Sequence, residues 1–268
     1  GKYYMYTTGF QQFESKDLVN WKKLNDGINW IKNSPGWTTD RWAPDIAKVG
    51  DTYVLSISGR TSGNRTIGYA TSNSAAGPFT YKGELLNPAD RGAEGMGYDI
   101  DPNILTTSDG TYLYYGSGRG YIRVSKLTLK NGKLSAEKSK VAFTSKHPEA
   151  PVQAEGPYVY KSGDYYYMYY SVGDWRPGSS TYKLRVARSK KPDGGFEDMN
   201  KPLMVSNAAF KSPGHNSVIG DGAGNDYIFY TVFKAGSNKR AVAVDKITYV
   251  DGWPQVNNGD GPSSTRQP

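Results

Sequence analysis

The amino-acid sequence lacks several features that mark common classes of protein. Its 268 residues include no cysteine, so disulfide bonds and cysteine metal ligands are excluded and the redox compartment cannot be read from them. No apolar run reaches the roughly 18 residues that a membrane-spanning helix needs. No segment keeps a 3.6-residue apolar period for more than about two turns. These absences argue against a disulfide scaffold, a membrane helix and a helical bundle.

The motifs of several enzyme classes are also missing. The two histidines, His147 and His215, do not have the spacing of a zinc site. No G-x-S-x-G elbow is present, which argues against a serine hydrolase. The glycine-rich stretch 220–226 joins two predicted strands rather than a strand and a helix, so it does not match a phosphate cradle.

The chain is basic, with a formal net charge of +8 and an isoelectric point of 9.3. Such a charge permits nucleic acid, anionic surfaces or acidic polysaccharides as partners. The lysines and arginines are nevertheless dispersed, and no nucleic-acid recognition module is present, so the sequence predicts no nucleic-acid partner. We interpret the short basic clusters as solvated loops; they are Lys22-Lys23, Lys138 to Lys140, Lys190-Lys191 and Lys239-Arg240.

The most informative feature is an internal repeat. Four stretches each contain a short apolar segment, a Gly/Asp turn and a Tyr-rich segment, and the chain opens on the second half of a fifth copy, GKYYMYTTG. The stretches are 43–58, 100–117, 155–171 and 215–232, and the tyrosines that follow the turns are Tyr4, Tyr53, Tyr112, Tyr166 and Tyr227. Because these tyrosines recur every 49 to 61 residues, the chain is predicted to be a solenoid, an array or a propeller.

The composition of each repeat favours a propeller. A third predicted strand follows each Tyr-rich strand, as in 66–83 and 182–198, and three or four antiparallel strands in about 55 residues form a blade. We therefore predict an all-β, five-bladed β-propeller in one domain, residues 1–257, with blade 1 lacking its innermost strand in this sequence. Residues 258–268, rich in Gly, Ser and Pro, are predicted to be a flexible tail.

Ionisable residues recur at the start of the predicted innermost strands. In a propeller these strands line the central channel, so their first residues are expected to meet near the axis. The residues are Asp45, Asp99, Asp101, Glu155 and His215. Three of them have a structural alternative: Asp101 fits an Asp-Pro turn, Glu155 a solvated charge at a strand edge, and His215 a neutral side chain that satisfies backbone groups. Two carboxyl groups across a cleft are what glycoside hydrolysis needs, one as a proton donor and one ionised.

Aromatic residues flank these carboxylates and suggest a sugar ligand. Trp42 precedes the segment APD, Tyr98 precedes DID, and Trp175 lies in the loop 173–180. Flat rings offer a surface on which the C–H face of a sugar packs. For most of the 22 tyrosines, filling the space between blades is the preferred interpretation.

Five motifs along the whole chain resemble those of glycoside hydrolase family 43, the arabinanases, α-L-arabinofuranosidases and β-xylosidases. They are RWAPDI (41–46), IDPN (100–103), EGPYVYK (155–161), GHNSVI (214–219) and DGWP (251–254). The resemblance implies a five-bladed propeller and an inverting mechanism with three acids.

Matched by position, the resemblance assigns roles to individual residues. It implies that Glu155 is the general acid and that Asp101 orients this acid and tunes its pKa. His215 is implied to help hold a metal ion, often calcium, through water. Trp42 and Asp45 are placed near the sugar, Asp45 as a binding or structural residue, and we expect Tyr98 and Trp175 to contact the substrate.

The sequence departs from the family at one position. The family's general base is the aspartate of an Asp-Pro pair on the first strand of blade 1, and the resemblance places that strand before Gly1. Three explanations stay open: the first strand was removed or not recorded, the chain is a truncation that still folds, or a remodelled blade borrows a strand from elsewhere. A chain with only these residues is expected to be nearly inactive as an inverting hydrolase.

The substrate prediction rests on smaller signals within the family. The segment 179–189 and DGWP are similar to arabinan-directed members, whereas EGP is similar to arabinofuranosidases and β-xylosidases. We predict cleavage of α-L-arabinofuranosyl linkages by a secreted or periplasmic monomer, with arabinose- or xylose-containing saccharides as partners and no membrane partner. A β-xylosidase, a non-catalytic glycan-binding propeller and a peptide-binding scaffold are the alternatives.

Overall fold

The computed structural model describes residues 1–34, 41–61, 64–86, 99–116 and 119–265. Within these residues the regular structure consists of β-strands and one short 3-10 helix, Asn257–Gly259. The strands are β1 Tyr3–Thr7, β2 Gln11–Ser15, β3 Lys22–Asn25, β4 Ile31–Lys32, β5 Trp42–Val49, β6 Thr52–Thr61, β7 Asn64–Ser72, β8 Phe79–Glu84, β9 Asn103–Thr107, β10 Gly110–Tyr115, β11 Tyr121–Lys130, β12 Lys133–Ala136, β13 Lys140–Thr144, β14 Val152–Ser162, β15 Tyr165–Gly173, β16 Lys183–Ser189, β17 Glu197–Asp198, β18 Phe210–Gly220, β19 Asp226–Lys234, β20 Arg240–Val250 and β21 Trp253–Val256. No helix in the described part of the chain is long and apolar enough to cross a membrane.

These strands form five sheets, each built from strands that are consecutive in the chain. The strand orders are β1-β2-β3, β4-β8-β7-β6-β5, β12-β11-β10-β9 with β13 also on β11, β14-β15-β16-β17, and β18-β19-β20-β21. Neighbours along each order run antiparallel, except for the short parallel pair β4 and β8. Five such sheets confirm the all-β class and the predicted number of blades.

The chain falls into two compact units, which are described separately. Unit 1 comprises Gly1–Ser117 and Arg123–Ala142, and unit 2 comprises Gly118–Ile122 and Phe143–Pro268. Unit 1 contains the first two sheets and most of the third, and unit 2 contains the last two. Among the described strands, β1 pairs with β2 alone, which agrees with the expectation that blade 1 has only the later part of the repeat in this sequence.

The repeated tyrosines lie on the second strand of the later sheets and supply much of the core. In unit 2 the strand β15 is buried on both faces, and its Tyr166, Tyr169 and Tyr170 are fully buried. Tyr167 and Tyr169 pack with Leu184, Val186 and Ile228. In unit 1, Tyr69 and Tyr115 pack with aliphatic residues of the second and third sheets. Aromatic rings fill these cores because each removes a large apolar area from water.

The segment predicted to be a tail is partly packed against unit 2. Residues 261–263 are buried. The amide of Asn207 donates a 2.8 Å hydrogen bond to the carbonyl of Pro262, and the backbone N–H of Ser263 donates to the buried carboxylate of Asp245. Residues 266–268 lie outside the described part of the chain.

Candidate active site

A left-handed residue lies in or just before one edge strand of four sheets, namely β5, β9, β14 and β18. The residues, with their φ angles, are Ala43 (48°), Asp101 (55°), Gly156 (56°) and His215 (48°). Next in sequence come Pro44, Pro102, Pro157 and Asn216. In three of these strands the pairing shifts register around this point, between Trp42 and Asp45, Glu155 and Tyr158, and Gly214 and Ser217. A bulge of this kind redirects the side chains at the strand entrance.

Relative to these left-handed residues, the ionisable residues do not share one register. Asp101 and His215 occupy the left-handed position itself. Glu155 lies one residue before it, and Asp45 lies two residues after it. An alignment of the Tyr-rich segments cannot show these offsets, because they depend on backbone conformation.

Asp101 is buried in unit 1 and held in an unfavourable backbone conformation. Its residue is 5% exposed, and its backbone N–H donates a 3.0 Å hydrogen bond to the hydroxyl of Ser58. A left-handed conformation costs a residue with a Cβ about 1–2 kcal/mol, and a residue before proline otherwise prefers extended backbone. The neighbouring Asp99 is also buried, whereas Tyr98 lies outside the described residues.

Asp45 connects two sheets of unit 1. Its Oδ2 accepts a 2.8 Å hydrogen bond from the backbone N–H of Ile104 on β9, and the amide of Asn103 lies 3.5 Å from the same oxygen. Burial raises the pKa of Asp45 to about 6, although these two donors act in the opposite direction. The contacts favour the structural alternative for Asp45 over direct sugar binding, which stays a prediction.

Trp42 is half-buried at the beginning of β5. The guanidinium of Arg65 lies 5.0 Å from the centre of its ring, a distance typical of a cation–π contact. Because Arg65 covers one face of the indole, only the opposite face remains for the predicted sugar contact.

In unit 2 the structure brings Glu155 and His215 together. Glu155 is 9% exposed, and its Oε1 accepts a 2.6 Å hydrogen bond from the hydroxyl of Tyr182. The imidazole of His215 packs against Gly156, the residue that follows Glu155. A Cβ added to Gly156 would lie 3.1 Å from Cγ of His215. Burial lowers the pKa of His215, and the nearby Glu155 carboxylate only partly opposes this shift. The imidazole is therefore neutral near pH 7.

Arg240 lies between Tyr182, the hydrogen-bond partner of Glu155, and the loop that carries Trp175. Its guanidinium donates to the carbonyl of Trp175 at 2.5 Å and to the hydroxyl of Thr231 at 2.6 Å, and it lies 5.6 Å from the centre of the Tyr182 ring. The indole of Trp175 is exposed at 44%. The sequence interpretation of Lys239-Arg240 as a solvated cluster is therefore wrong for Arg240, which is partly buried.

The amino-acid sequence is also similar to those of known proteins. Residues 1–254 match the family model described as Glycosyl hydrolases family 43. The chain belongs to this family. A probable arabinan endo-1,5-α-L-arabinosidase A of Aspergillus flavus is 30% identical to this chain. The alignment covers 96% of this chain and 87% of that protein.

Two further comparisons agree with family 43 membership. An extracellular exo-α-(1→5)-L-arabinofuranosidase of Cellvibrio japonicus is 28% identical over 95% of this chain and 82% of its own length. The crystal structure of a thermostable family-43 glycoside hydrolase superimposes with a TM-score of 0.82 and 25% identity, covering 100% of this chain and 91% of that chain. The predicted fold, a five-bladed β-propeller, and the predicted class, a glycoside hydrolase, are thereby confirmed.

The family 43 resemblance also predicted a metal ion near His215. Among the residues that the structure describes, no group of three or more His, Asp or Glu side chains could hold a metal ion. Calcium prefers six to eight oxygen ligands, so the described residues provide no direct ligand set. A neutral imidazole can still accept a hydrogen bond from a metal-bound water, and the water-mediated site therefore stays a prediction.

Sequence reasoning missed the residues that support the family 43 acids. Tyr182 lies in the segment 179–189, which was used only as a family signature, and nothing in its spacing indicated a bond to Glu155. Ser58 and Ser171 gave no signal either, since serines are common near strand ends. Gly214 did carry a usable signal, because a glycine within a predicted strand indicates a close approach of another group. In the structure a Cβ on Gly214 would lie 2.1 Å from the Tyr182 ring.

Proposed function

We propose that this family 43 chain hydrolyses α-L-arabinofuranosyl linkages of arabinan or arabinan-derived oligosaccharides outside the cell, with inversion of configuration. The observation that supports it most directly is a buried carboxyl group, Glu155, held by the hydroxyl of Tyr182 beside a neutral His215. The two curated relatives described above are named for arabinan-directed activities. The β-xylosidase alternative has less support.

In the proposed mechanism Glu155 donates a proton to the glycosidic oxygen as the bond to the sugar breaks. General acid catalysis of this type contributes about 10²–10⁴-fold to the rate. Asp101 acts as an ionised carboxylate that orients and tunes the acid, a role that the family resemblance implies. An inverting enzyme also needs a base that activates water. We assign that role to none of the described residues, so the proposed hydrolysis requires that the protein supplies this carboxylate from outside them.

The proposal includes a calcium ion held through water near His215. The ion would supply positive charge, and the neutral imidazole would orient one of its water ligands. The test compares the melting temperature of the wild type and of His215→Gln in excess calcium and in chelator. A calcium-dependent increase in the wild type alone is expected, and no difference between the two proteins would contradict the site.

The substrate proposal is tested with linear arabinan, an aryl α-L-arabinofuranoside and an aryl β-xyloside. We expect hydrolysis of at least one arabinofuranosyl substrate in preference to the xyloside, with the inverted anomer formed first in NMR spectra. Glu155→Gln should lower this rate at least 100-fold. The control Glu149→Gln removes a carboxylate paired with Lys183 and should retain activity.

Two results would contradict the proposal. Binding of arabinan without hydrolysis by the wild type would instead support the glycan-binding alternative. Retention of more than about a tenth of the wild-type rate by Glu155→Gln would refute the acid assignment, given the size of general acid catalysis.

A further inference from the structure

Three of the left-handed residues donate their backbone N–H to a hydroxyl from the preceding sheet. The N–H of Asp101 donates to Ser58 at 3.0 Å. The same bond joins Ala43 to Thr8 at 3.3 Å and His215 to Ser171 at 2.9 Å. Each pair lies within one unit, so the arrangement occurs in both units.

The hydroxyls of Ser58 and Ser171 occupy equivalent places. Ser58 pairs with Trp42 and Ser171 pairs with Glu155, and each partner immediately precedes a left-handed residue. Both serines are buried, at 2% and 0% exposure. The remaining left-handed residue is a glycine, Gly156, which adopts this conformation without a steric penalty.

The hydroxyl matters most where the left-handed residue carries an acid. Asp101 precedes Pro102, and residues before proline favour extended backbone. A disfavoured conformation persists only where the surroundings hold it. Without the Ser58 hydroxyl, the N–H of Asp101 would lose this partner, and rotation toward extended backbone would redirect the carboxyl group.

We propose that Ser58 is a positioning residue for catalysis: its hydroxyl holds Asp101 in the left-handed conformation and so fixes the direction of the Asp101 carboxylate. Ser58 acts through the backbone of Asp101 and has no contact with substrate in this role. The inference rests on the proposed function of Asp101 as the residue that orients and tunes the acid.

The test uses two substitutions of nearly equal shape, Ser58→Thr and Ser58→Val. Threonine occupies the equivalent place at Thr8 and retains the hydroxyl, whereas valine removes it. We expect Ser58→Val to lower kcat by about 10- to 100-fold, as expected for a misplaced catalytic group, with KM within about twofold of Ser58→Thr. Asp101→Asn removes the carboxylate that we propose tunes the acid and should therefore shift the pH optimum. Ser58→Val should shift the pH optimum in the same direction.

The control Thr8→Val removes the corresponding bond at Ala43, which has no ionisable side chain. A purely structural role for Ser58 would lower the melting temperature of Ser58→Val and Thr8→Val similarly and leave the pH profile of each unchanged. Equal kcat and pH profiles for Ser58→Thr and Ser58→Val would therefore overturn the proposal.

Amide hydrogen exchange separates this inference from the proposed function. If the wild type hydrolyses none of the arabinofuranosyl substrates, the proposed function fails, but the exchange of the Asp101 amide can still be measured by NMR. Faster exchange of this amide in Ser58→Val than in Ser58→Thr supports the positioning contact. Equal protection in the two variants overturns it, whatever the activity.

Discussion

The hydroxyl of Tyr182 donates a 2.6 Å hydrogen bond to Oε1 of Glu155. A donor of this kind stabilises an ionised carboxylate more than a protonated one. Tyr182 therefore contacts the carboxyl group that the proposed mechanism uses as its acid.

Tyr182→Phe should move the high-pH limb of the rate profile to higher pH, because the ionised carboxylate loses a hydrogen-bond donor while the ring is retained. The measurement is kcat as a function of pH on an aryl arabinofuranoside. Tyr160→Phe is the control, since it removes a hydroxyl bonded to Asp226 instead. If the high-pH limb of the kcat profile is the same in Tyr182→Phe and the wild type, the contact does not affect the acid.

Gly156→Ala should impair activity more than Gly163→Ala. Both glycines have a φ of 56°, so both substitutions cost about 1–2 kcal/mol of backbone strain. An added Cβ would lie 3.1 Å from the His215 ring at Gly156, whereas nothing lies within 4 Å at Gly163. The measurement is kcat of both variants, together with their free energies of unfolding in denaturant. If the two free energies are equal, a lower kcat of Gly156→Ala reports the displacement of His215 and Glu155. Equal activities would mean that the imidazole moves aside without consequence.

The free energy of unfolding should decrease as the pH rises from about 4 to 6, because burial raises the pKa of Asp45 from 3.8 to about 6. In this interval the folded protein keeps a proton that the unfolded chain has released, so stability falls with pH, by at most about 3 kcal/mol. Asp45→Asn should flatten this dependence while an amide oxygen still accepts the N–H of Ile104. Denaturant titrations at several pH values measure the effect.

The control for this prediction is Asp51→Asn, an exposed residue in the turn after β5. It should retain the wild-type dependence on pH. An unchanged slope in Asp45→Asn would instead assign the dependence to another group.

Trp175→Ala should raise KM for arabinan roughly tenfold, the effect of losing a modest buried apolar contact, and change kcat little. A stacking contact made equally in the bound and transition states affects KM alone. Val205→Ala is the control, because it shortens an equally exposed apolar side chain of unit 2. Unchanged KM and kcat in Trp175→Ala would place Trp175 outside the substrate site.

The sequence predicted the sheets well because each depends on local patterns. Short apolar segments, Gly/Asp turns and recurrent tyrosines located the Tyr-rich strands β1, β6, β10, β15 and β19, and hence five repeats. The left-handed conformations at Ala43 and Asp101 were not predictable, since Asp-Pro and Ala-Pro pairs favour extended backbone in isolation. Tertiary hydrogen bonds, such as that from Asp101 to Ser58, override this preference.

Prediction of the site was less complete for the same reason. The motifs identified Glu155, Asp101 and His215 as chemically important, but their partners come from other segments. Tyr182 is 27 residues from Glu155, and Ser58 is 43 residues from Asp101. No pattern in the sequence relates such pairs, which meet only through the tertiary structure.

The contiguity of each sheet in the sequence has a consequence for biosynthesis. Because each sheet consists of strands that follow one another in the chain, its hairpins can form from neighbouring segments, for which loop closure is inexpensive in entropy. Once the nascent chain has emerged from the ribosome as far as β8, all five strands of the second sheet are available to pair. Nascent chains can therefore begin sheet formation before translation has finished.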